Sequence, residues 1–293
     1  MADENNPPAL RRRPAADARD DAAIGRHYMV EKALARRLLD SSREERVGTG
    51  LYTAVYDEMF ERVPDHPLFT RKTSETRSRN VIDWQYRLLA RFLKPDMRFV
   101  EIGPGDCRLA WRVAESVREV AAVDVTRSLV DEAKMPHNFE LVISDGASIP
   151  LPDASVDLVY SNQLMEHLHP DDAEEQLGEV FRILKPGGRY VFMTVNRLNG
   201  PWDISAFFDD EATGFHLKEY AIRDLLHLLR SKSFASTQAL VGARGRYLQV
   251  PTWLVRMVEA PFSILPYALR FTIGRRMPLK LLLEPRLVAR KPS

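Results

Sequence analysis

The chain has 293 residues, 45% hydrophobic and 28% charged, which is typical of a globular protein of one or at most two domains. Lysine and arginine number 42 against 41 aspartates and glutamates, so no overall charge attracts the chain to nucleic acid. The single cysteine, Cys107, excludes an internal disulfide and a multi-cysteine zinc site.

The N-terminal third is predicted to be a tail followed by helices. Residues 1–20 are rich in Pro, Asp and Arg without periodic apolar positions, and we expect a disordered tail. They contain no signal-peptide pattern, and no later segment has the ~20 apolar residues of a membrane span, so we expect a cytoplasmic protein without a transmembrane segment. Residues 21–95 have apolar residues at helical spacing and predict a helical cap, with faces at Ile24–Leu38, Tyr52–Phe60 and Val81–Phe92.

From residue 96 to residue 250, short β-rich runs alternate with helical stretches. Expected strands are Phe99–Ile102, Val120–Asp124, Glu140–Ser144, Val156–Ser161, Arg189–Val195 and Ser236–Val241, with a last one at Arg286–Ala289. Expected helices cover 107–117, 127–135, 170–184 and 217–231. The pattern predicts an α/β, Rossmann-like fold: a seven-stranded, mostly parallel sheet with helices on both faces, an N-terminal helical cap and a helical insertion near the C-terminus.

The turn after the first strand has the features of a cofactor loop. Gly103 and Gly105 let the backbone turn sharply and approach a ligand closely. A dinucleotide site would need a third glycine where this chain has Arg108, which disfavours a nicotinamide oxidoreductase. Glu101 suits a cofactor with an ammonium group and no phosphate. Asp124 ends the second strand, where a carboxylate can accept hydrogen bonds from ribose hydroxyls; the alternative is an N-cap of the next helix.

Glu101 to Gly105 resemble the first motif, Asp/Glu-x-Gly-x-Gly, of the class I S-adenosylmethionine-dependent methyltransferases, and most closely their ubiquinone and menaquinone branch. Cys107 stands where that family often has a third glycine. The segments 144–157, 157–162 and 184–190 are similar to the family's acidic turn after the third strand, its fourth motif and its turn into the fifth strand.

The resemblance implies S-adenosylmethionine as the cofactor and methyl transfer as the activity. Asp145 is implied to bind the adenine amino group, with an ordinary turn residue as the alternative. Together with the strand-end positions, the resemblance gives nine cofactor-binding candidates: Glu101, Gly103, Gly105, Asp124, Val125, Asp145, Gly146, Ala147 and Asn162.

The chemistry that this cofactor implies is in-line displacement of a methyl group that is already electrophilic, with the protein supplying binding and alignment. A hydroxyl acceptor would need a base, and His167 and His216 are the catalytic candidates; packing or a helix-end role is the alternative for both. No cluster of Asp and Asn ligands can be assembled, so we expect no metal. We therefore predict O-methylation, with a non-catalytic S-adenosylmethionine-binding scaffold or sensor as the alternative.

Motifs that the chain lacks exclude several classes of methyl acceptor. The run after the fourth strand, Ser161–Leu164, lacks the Asp/Asn-Pro-Pro-aromatic motif of enzymes that methylate base amines, and no cysteine is placed for cytosine C5 methylation. We expect a small-molecule, lipid-linked or glycan acceptor and no nucleic acid.

The C-terminal insertion, residues 251–284, is basic and apolar between 252 and 283. We expect it to be a lid, an interfacial element on anionic lipid, or a packing subdomain or dimer contact. The last strand and the tail follow at 285–293. The aromatic residues of the loop Arg197–His216 line a substrate pocket or pack in the core. The sequence does not specify the oligomeric state.

Overall fold

A computed structural model of the chain describes residues 8–12, 17, 19–67 and 75–293, without the side chains of 75–78. The predicted N-terminal helices are present as α1 (Asp21–Asp40), α2 (Leu51–Arg62) and α3 (Glu75–Leu89), with a π-helical turn at Glu44–Gly48. Asp20 caps α1, since its carboxylate accepts the backbone N–H of Ala23 at 2.7 Å.

The sheet has eight strands in the order β3-β2-β1-β4-β5-β8-β6-β7. Strands β1 to β5 run parallel, β8 is antiparallel to β5 and β6, and β7 is antiparallel to β6. This confirms the Rossmann-like class and corrects the predicted count of seven. The strands are β1 (Arg98–Ile102), β2 (Glu119–Asp124), β3 (Phe139–Ile143), β4 (Val156–Asn162), β5 (Leu184–Met193), β6 (Ser236–Ala243), β7 (Arg246–Pro251) and β8 (Arg286–Arg290).

The additional strand, β7, forms a hairpin with β6. The two residues between them, Arg244 and Gly245, have φ values of 52° and 80°, which suits the tight two-residue turn that joins antiparallel strands. Strand β7 is an edge strand in which only Tyr247 and Val250 are even partly buried. Its apolar alternation is therefore weak, and for this reason the sequence did not predict it.

The helices after β1 are α4 (Arg108–Ala114), α5 (Pro170–Ile183), α6 (Ile222–Ser231), α7 (Thr252–Ser263), α8 (Tyr267–Ile273) and α9 (Leu279–Leu283). The predicted helix at 127–135 is wrong, because only a short 3-10 turn, Glu132–Lys134, forms there. Its apolar residues had little to bury against: Leu129 is 60% exposed. Helix α6 begins at Ile222, later than predicted, where the Asp224 carboxylate accepts the N–H of Ala221 at 3.1 Å.

Part of the predicted tail lies against the segment that follows β5. The backbone N–H groups of Arg11 and Arg12 both donate to the carbonyl of Phe207, at 2.9 and 3.3 Å. Leu10 packs against the cluster formed by Ile24, Tyr28, Ile204 and Phe208. Residues 10–12 therefore have defined contacts, and disorder of the tail stays a prediction. Residues 1–7, 13–16 and 18 lie outside the described residues.

Both faces of the sheet are buried, as the apolar strands predicted. On one face, Val100 and Ile102 of β1 belong to a core that includes Tyr52, Val55 and Met59 of α2. On the other face, residues such as Phe99 pack with α3 and α4. The predicted cap is thus divided: α1 and α2 lie on one face and α3 on the other, and α2 reaches the edge where the parallel strands end.

Candidate active site

A small cavity of about 80 Å³ lies at the carboxyl ends of the parallel strands, under α2. It brings together five of the predicted site residues, Gly103, Asp124, Val125, Gly146 and His167. The other six, Glu101, Gly105, Asp145, Ala147, Asn162 and His216, are not in its lining. The rest of the lining is Tyr52, Tyr56, Ile102, Val123, Ser144, Leu164, Leu168 and Gln176.

The two glycines of the first loop serve different purposes. The N–H of Gly103 donates to the carbonyl of Val123 at 2.9 Å, and its φ of 65° favours glycine. A Cβ there would lie 2.9 Å from Cδ1 of Leu164, so the bare backbone permits close packing. Gly105 has a φ of 60°, and nothing lies within 4 Å of where its Cβ would be. That space beside the loop is open.

Asp124 is positioned by the backbone around it. Oδ1 accepts the N–H of Val125 at 2.7 Å and of Thr126 at 3.3 Å, while Oδ2 accepts only a long 3.4 Å bond from Gly105. Burial raises the pKa of this carboxyl. Because a carboxylate oxygen has two lone pairs, Oδ2 retains capacity for hydroxyl donors from the cavity. The described residues between β2 and β3 contain no α-helix, only the 3-10 turn Glu132–Lys134, so the N-cap alternative is removed.

Glu101 lies behind the loop, buried, and does not reach the cavity lining. Burial raises its pKa to about 8, with a further contribution from the negative charge of Asp106. Its Oε2 has no hydrogen-bond partner. A buried carboxyl oxygen without a partner is uncommon in folded proteins, and a cationic group next to it would supply one.

Asp145 has its carboxylate turned into its own loop. Oδ1 accepts the N–H groups of Ala147 at 2.9 Å and Ser148 at 2.7 Å, and Oδ2 accepts the Ser148 hydroxyl at 2.7 Å. This is the turn role that was the alternative for Asp145. Asn162 ends β4, opposite Met193 of β5. For both residues, cofactor binding stays a prediction.

Two tyrosines of the predicted helical face Tyr52–Phe60, Tyr52 and Tyr56 of α2, cover the cavity. The Tyr52 hydroxyl donates to Asp172 at 2.6 Å and accepts the N–H of His169 at 2.9 Å. Arg46 forms a bidentate ion pair with the same carboxylate, at 2.6 and 2.9 Å. These contacts fix α2 to the start of α5. Helical spacing predicted the buried face of α2 but not the surface that it covers.

The two candidate histidines are neighbours in different protonation states. Nδ1 of His167 lies 3.0 Å from the carbonyl of Phe215, which can only accept, so Nδ1 carries the proton and Nε2 keeps its lone pair. Burial, together with the charge of His216, lowers the pKa of His167 to about 3. Burial favours neutral His216 as well, but its bond to Glu219 (2.8 Å) and the charge of Asp203 raise its pKa to about 9. At neutral pH, His167 is uncharged and His216 is a cation.

Two groups of side chains in the described ranges have the spacing of metal ligands: His27 with Glu31 and His66, and Glu166 with His167 and His216. In the first, a guanidinium N–H of Arg19 donates to Nδ1 of His27 at 3.0 Å, and Nε2 of His27 donates to Glu31 at 2.7 Å. Both ring nitrogens of His27 are therefore used in hydrogen bonds. In the second, His216 is a cation paired with Glu219, and Glu166 accepts the Thr194 hydroxyl at 2.8 Å through Oε2, while its buried Oε1 has no hydrogen-bond partner. The absence of a metal stays a prediction.

The chain matches known methyltransferases over the segment that carries the glycine turn after β1. Residues 100–192 match the family model described as a methyltransferase domain. This segment is a methyltransferase domain. The methyltransferase domain is also similar to a probable S-adenosylmethionine-dependent methyltransferase of Mycolicibacterium smegmatis, 32% identical over 136 residues, 46% of this chain and 51% of the relative. A malonyl-[acyl-carrier protein] O-methyltransferase of Enterobacter lignolyticus is 32% identical over 114 residues, 37% of this chain and 43% of the relative.

These matches confirm the predicted family, while its ubiquinone and menaquinone branch stays a prediction. The chain spans about half the length of the relatives that it matches. Among solved structures, phosphoethanolamine N-methyltransferase 1 of Haemonchus contortus has a TM-score of 0.53 at 17% identity, over 86% of this chain and 50% of that chain. A putative methyltransferase complexed with the Haloferax volcanii Trm112 activator has a TM-score of 0.51 at 15% identity, over 75% and 96%. At such identities the likeness shows the fold alone.

Proposed function

We propose that the protein is an S-adenosylmethionine-dependent methyltransferase that transfers a methyl group to oxygen of a small-molecule, lipid-linked or glycan acceptor. The observation that carries this proposal is one cavity, at the ends of the parallel strands, lined both by the Asp124 carboxylate and by the neutral His167 ring. The cofactor agrees with the relatives, which are named for S-adenosylmethionine.

The residues present fit this cofactor. Asp124 would accept hydrogen bonds from the ribose hydroxyls through Oδ2, and the open space at Gly105 would receive the amino acid portion. Glu101 has an unpartnered, buried oxygen behind the same loop, where a nearby ammonium group would provide favourable charge. No pyrophosphate is needed in this arrangement, in keeping with Arg108 in place of a third glycine.

The cavity is smaller than the cofactor. At about 80 Å³ it lies well below the roughly 300 Å³ at which small-molecule pockets begin. The side chains that limit it from above are Tyr52 and Tyr56, and a Cβ on Gly146 would already lie 3.2 Å from the Tyr52 ring. Binding therefore requires α2 to move away from the strand ends. In this proposal α2 is a lid that opens to admit the cofactor.

The two histidines have separate roles in the proposed transfer. When bound, S-adenosylmethionine supplies a sulfonium methyl that is already electrophilic. Nε2 of His167 accepts the proton of the acceptor hydroxyl while an oxygen lone pair is directed at the methyl carbon. His216 stays protonated and paired with Glu219, and burial together with the charge of His216 keeps His167 neutral before the transfer. His167 is the proposed base, and His216 is a positioning residue.

The first experiment asks whether the chain binds and consumes this cofactor. Calorimetry with S-adenosylmethionine is expected to show binding. Incubation with deuteromethyl-labelled S-adenosylmethionine and separate small-molecule, lipid and glycan extracts is expected to give a labelled product with the methyl on oxygen. Absence of binding would contradict the proposed dependence on S-adenosylmethionine. Binding without labelled product in every extract would favour the scaffold alternative.

The second experiment tests His167 once a labelled product is in hand. His167→Asn keeps a donor for the Phe215 carbonyl but removes the base. We expect kcat to fall by about 10², the lower end for a general base, because a pKa of about 3 makes His167 a weak one, with nearly unchanged cofactor affinity. The matched control is His227→Asn, an exposed histidine on α6, which should leave kcat unaffected. An unchanged kcat in His167→Asn would remove the base assignment.

A further inference from the structure

A second cavity, of about 330 Å³, lies where the insertion meets the loop after β5 and the start of α6. Four arginines surround it, each from a different segment: Arg197 after β5, Arg223 in α6, Arg256 in α7 and Arg270 in α8. We call this cavity the arginine pocket. The rest of its lining is Leu198, Ala221, Glu259, Ala260 and Ser263, and none of these residues lines the proposed cofactor site.

The acids beside the pocket already have partners. Glu259 is buried, and its carboxylate accepts the backbone N–H groups of Ile222 at 2.5 Å and Arg223 at 3.0 Å, so it caps α6. Asp224 accepts Nε of Arg197 at 2.8 Å and lies 3.8 Å from Nε of Arg223. Four guanidinium groups against these two carboxylates leave the pocket with a net positive charge.

Arg256 and Arg270 retain unsatisfied donors. Nε of each is buried and has no hydrogen-bond partner, and Nε of Arg256 stands 3.5 Å from the Glu259 carboxylate. A buried donor without a partner is uncommon and calls for an explanation such as a bound ion or ligand. Guanidinium groups are permanently charged, and their donor geometry matches phosphate oxygens. The chemistry of the pocket therefore fits a phosphate group.

Beside the pocket, α7 and its C-cap residue expose a row of apolar side chains. Trp253, Met257 and Ile264 are 59%, 65% and 83% exposed. Spacings of four and seven residues put them on one face of the helix, which we call the apolar stripe. Val255 and Phe262 are buried on the opposite face. Exposed apolar residues in a continuous row mark an interaction surface when a charged rim accompanies them.

We propose that the arginine pocket and the apolar stripe together dock the protein on an anionic phospholipid bilayer. A headgroup phosphate occupies the pocket, and the stripe enters the boundary between headgroups and acyl chains. Trp253 suits that boundary, where tryptophan is enriched in membrane proteins. Among the described residues no helix has the length and apolar character to cross the bilayer, so the contact is peripheral.

The stripe is what favours a bilayer over a soluble phosphate compound. A free metabolite would satisfy the arginines but would leave Trp253, Met257 and Ile264 in water. Arg197 lies in the loop that follows β5, at the same edge of the sheet as the cofactor cavity. A bilayer held there faces the edge at which a lipid-linked acceptor would enter. The docking proposal itself does not depend on methyl transfer.

The test is co-sedimentation of the full chain with vesicles of phosphatidylcholine alone or mixed with phosphatidylglycerol. We expect binding to the mixed vesicles that weakens as salt is raised, and little binding to phosphatidylcholine. Arg256→Gln and Arg270→Gln should each weaken binding about fivefold, since one basic residue near an anionic surface contributes that much. Binding should shift tryptophan fluorescence to the blue, and Trp253→Phe should remove most of the shift.

Matched controls separate the site from general charge and hydrophobicity. Arg276→Gln removes an exposed arginine of the same insertion outside the pocket, and Leu129→Ser removes an exposed apolar residue far along the chain from the stripe. Both should bind like the parent, whereas Met257→Ser should bind less. Equal binding to both vesicle types, or parent-like binding by folded Arg256→Gln and Arg270→Gln, would overturn the proposal. Calorimetric binding of free glycerol phosphate without vesicle binding would also overturn it, in favour of a soluble ligand.

Discussion

The two walls of the cavity under α2 are built differently. The sheet wall, with Gly103, Asp124 and Gly146, comes from turns at strand ends, all inside the segment 100–192 that matches the methyltransferase domain. The cap wall, with Tyr52 and Tyr56, comes from a helix that precedes this segment. The sheet wall is positioned by hydrogen bonds between residues close in sequence or on adjacent strands. The cap wall is positioned by contacts between residues more than a hundred positions apart.

In the proposed binding of the cofactor, this difference separates the wall that stays fixed from the wall that moves. Asp124 is held by three backbone N–H groups from its own loop and the neighbouring one, so it keeps its place whether or not α2 is closed. The position of Tyr52 depends on Asp172 of α5, and so on one buried cluster with Arg46. The cavity can therefore enlarge through the cap wall without disturbing the sheet wall.

The largest effect is expected from breaking the cluster that fixes the cap wall. Arg46→Met leaves the buried Asp172 carboxylate without its cation, and loss of one partner from a buried pair costs about 3–5 kcal/mol. Urea unfolding should show this loss. Hydrogen exchange should then speed up in α2 and remain slow in β1, because the sheet wall does not depend on the pair.

The neighbouring pair, Arg43 with Glu175, supplies the matched control. It also links the α1–α2 connection to α5, but it is largely exposed, so Arg43→Met should cost less than about 1 kcal/mol. The double variant Arg46→Met with Asp172→Leu should recover much of the lost stability, since no buried charge remains unpaired. If exchange accelerated equally in α2 and β1, the two walls would be one cooperative unit and the comparison would fail.

The same difference explains what the sequence could predict. Gly103, Asp124 and the strands β1 to β5 were predictable because their patterns are local: apolar runs, a glycine turn and an acid at a strand end. The cover provided by Tyr52 was not, because periodicity identifies a buried face without its partner. Nor was the tautomer of His167, which depends on a carbonyl 48 residues away, that of Phe215. Strand β7 was missed because an exposed edge strand has little apolar alternation.

A smaller effect is expected from removing the charge of the sheet wall. Asp124→Asn keeps an oxygen for the loop N–H groups but loses the charged acceptor, so S-adenosylmethionine binding should weaken by about 1.5–3 kcal/mol. Calorimetry measures this directly. Asp131→Asn, an exposed acid in the loop after β2, should bind like the parent. Unchanged affinity in folded Asp124→Asn would count against the ribose role and move cofactor recognition to the cap wall.

A further prediction concerns the pH dependence of stability that comes from Glu101, whose carboxyl is buried behind the sheet wall with a pKa raised from 4.5 to about 8. The folded state holds this proton more tightly than the unfolded state does. Its contribution to stability is therefore fully present below pH 4.5 and is lost as the pH rises through about 8. Glu101→Gln is neutral at every pH and escapes that loss. The melting temperature of Glu101→Gln should exceed that of the parent by an amount that grows with pH up to about 8 and then levels off.

Bound cofactor should reverse the stability advantage that Glu101→Gln has over the parent. If the ammonium group of S-adenosylmethionine lies near Glu101, it favours the carboxylate, lowers the pKa and releases a proton near neutral pH. Calorimetry in two buffers of different ionisation enthalpy should detect that release in the parent and a smaller one in Glu101→Gln, together with weaker binding. A variant that gained stability at high pH but bound the cofactor with parental affinity and proton release would make Glu101 a packing residue. Cofactor recognition in the sheet wall would then rest on Asp124 and the bare backbone at Gly103 and Gly105.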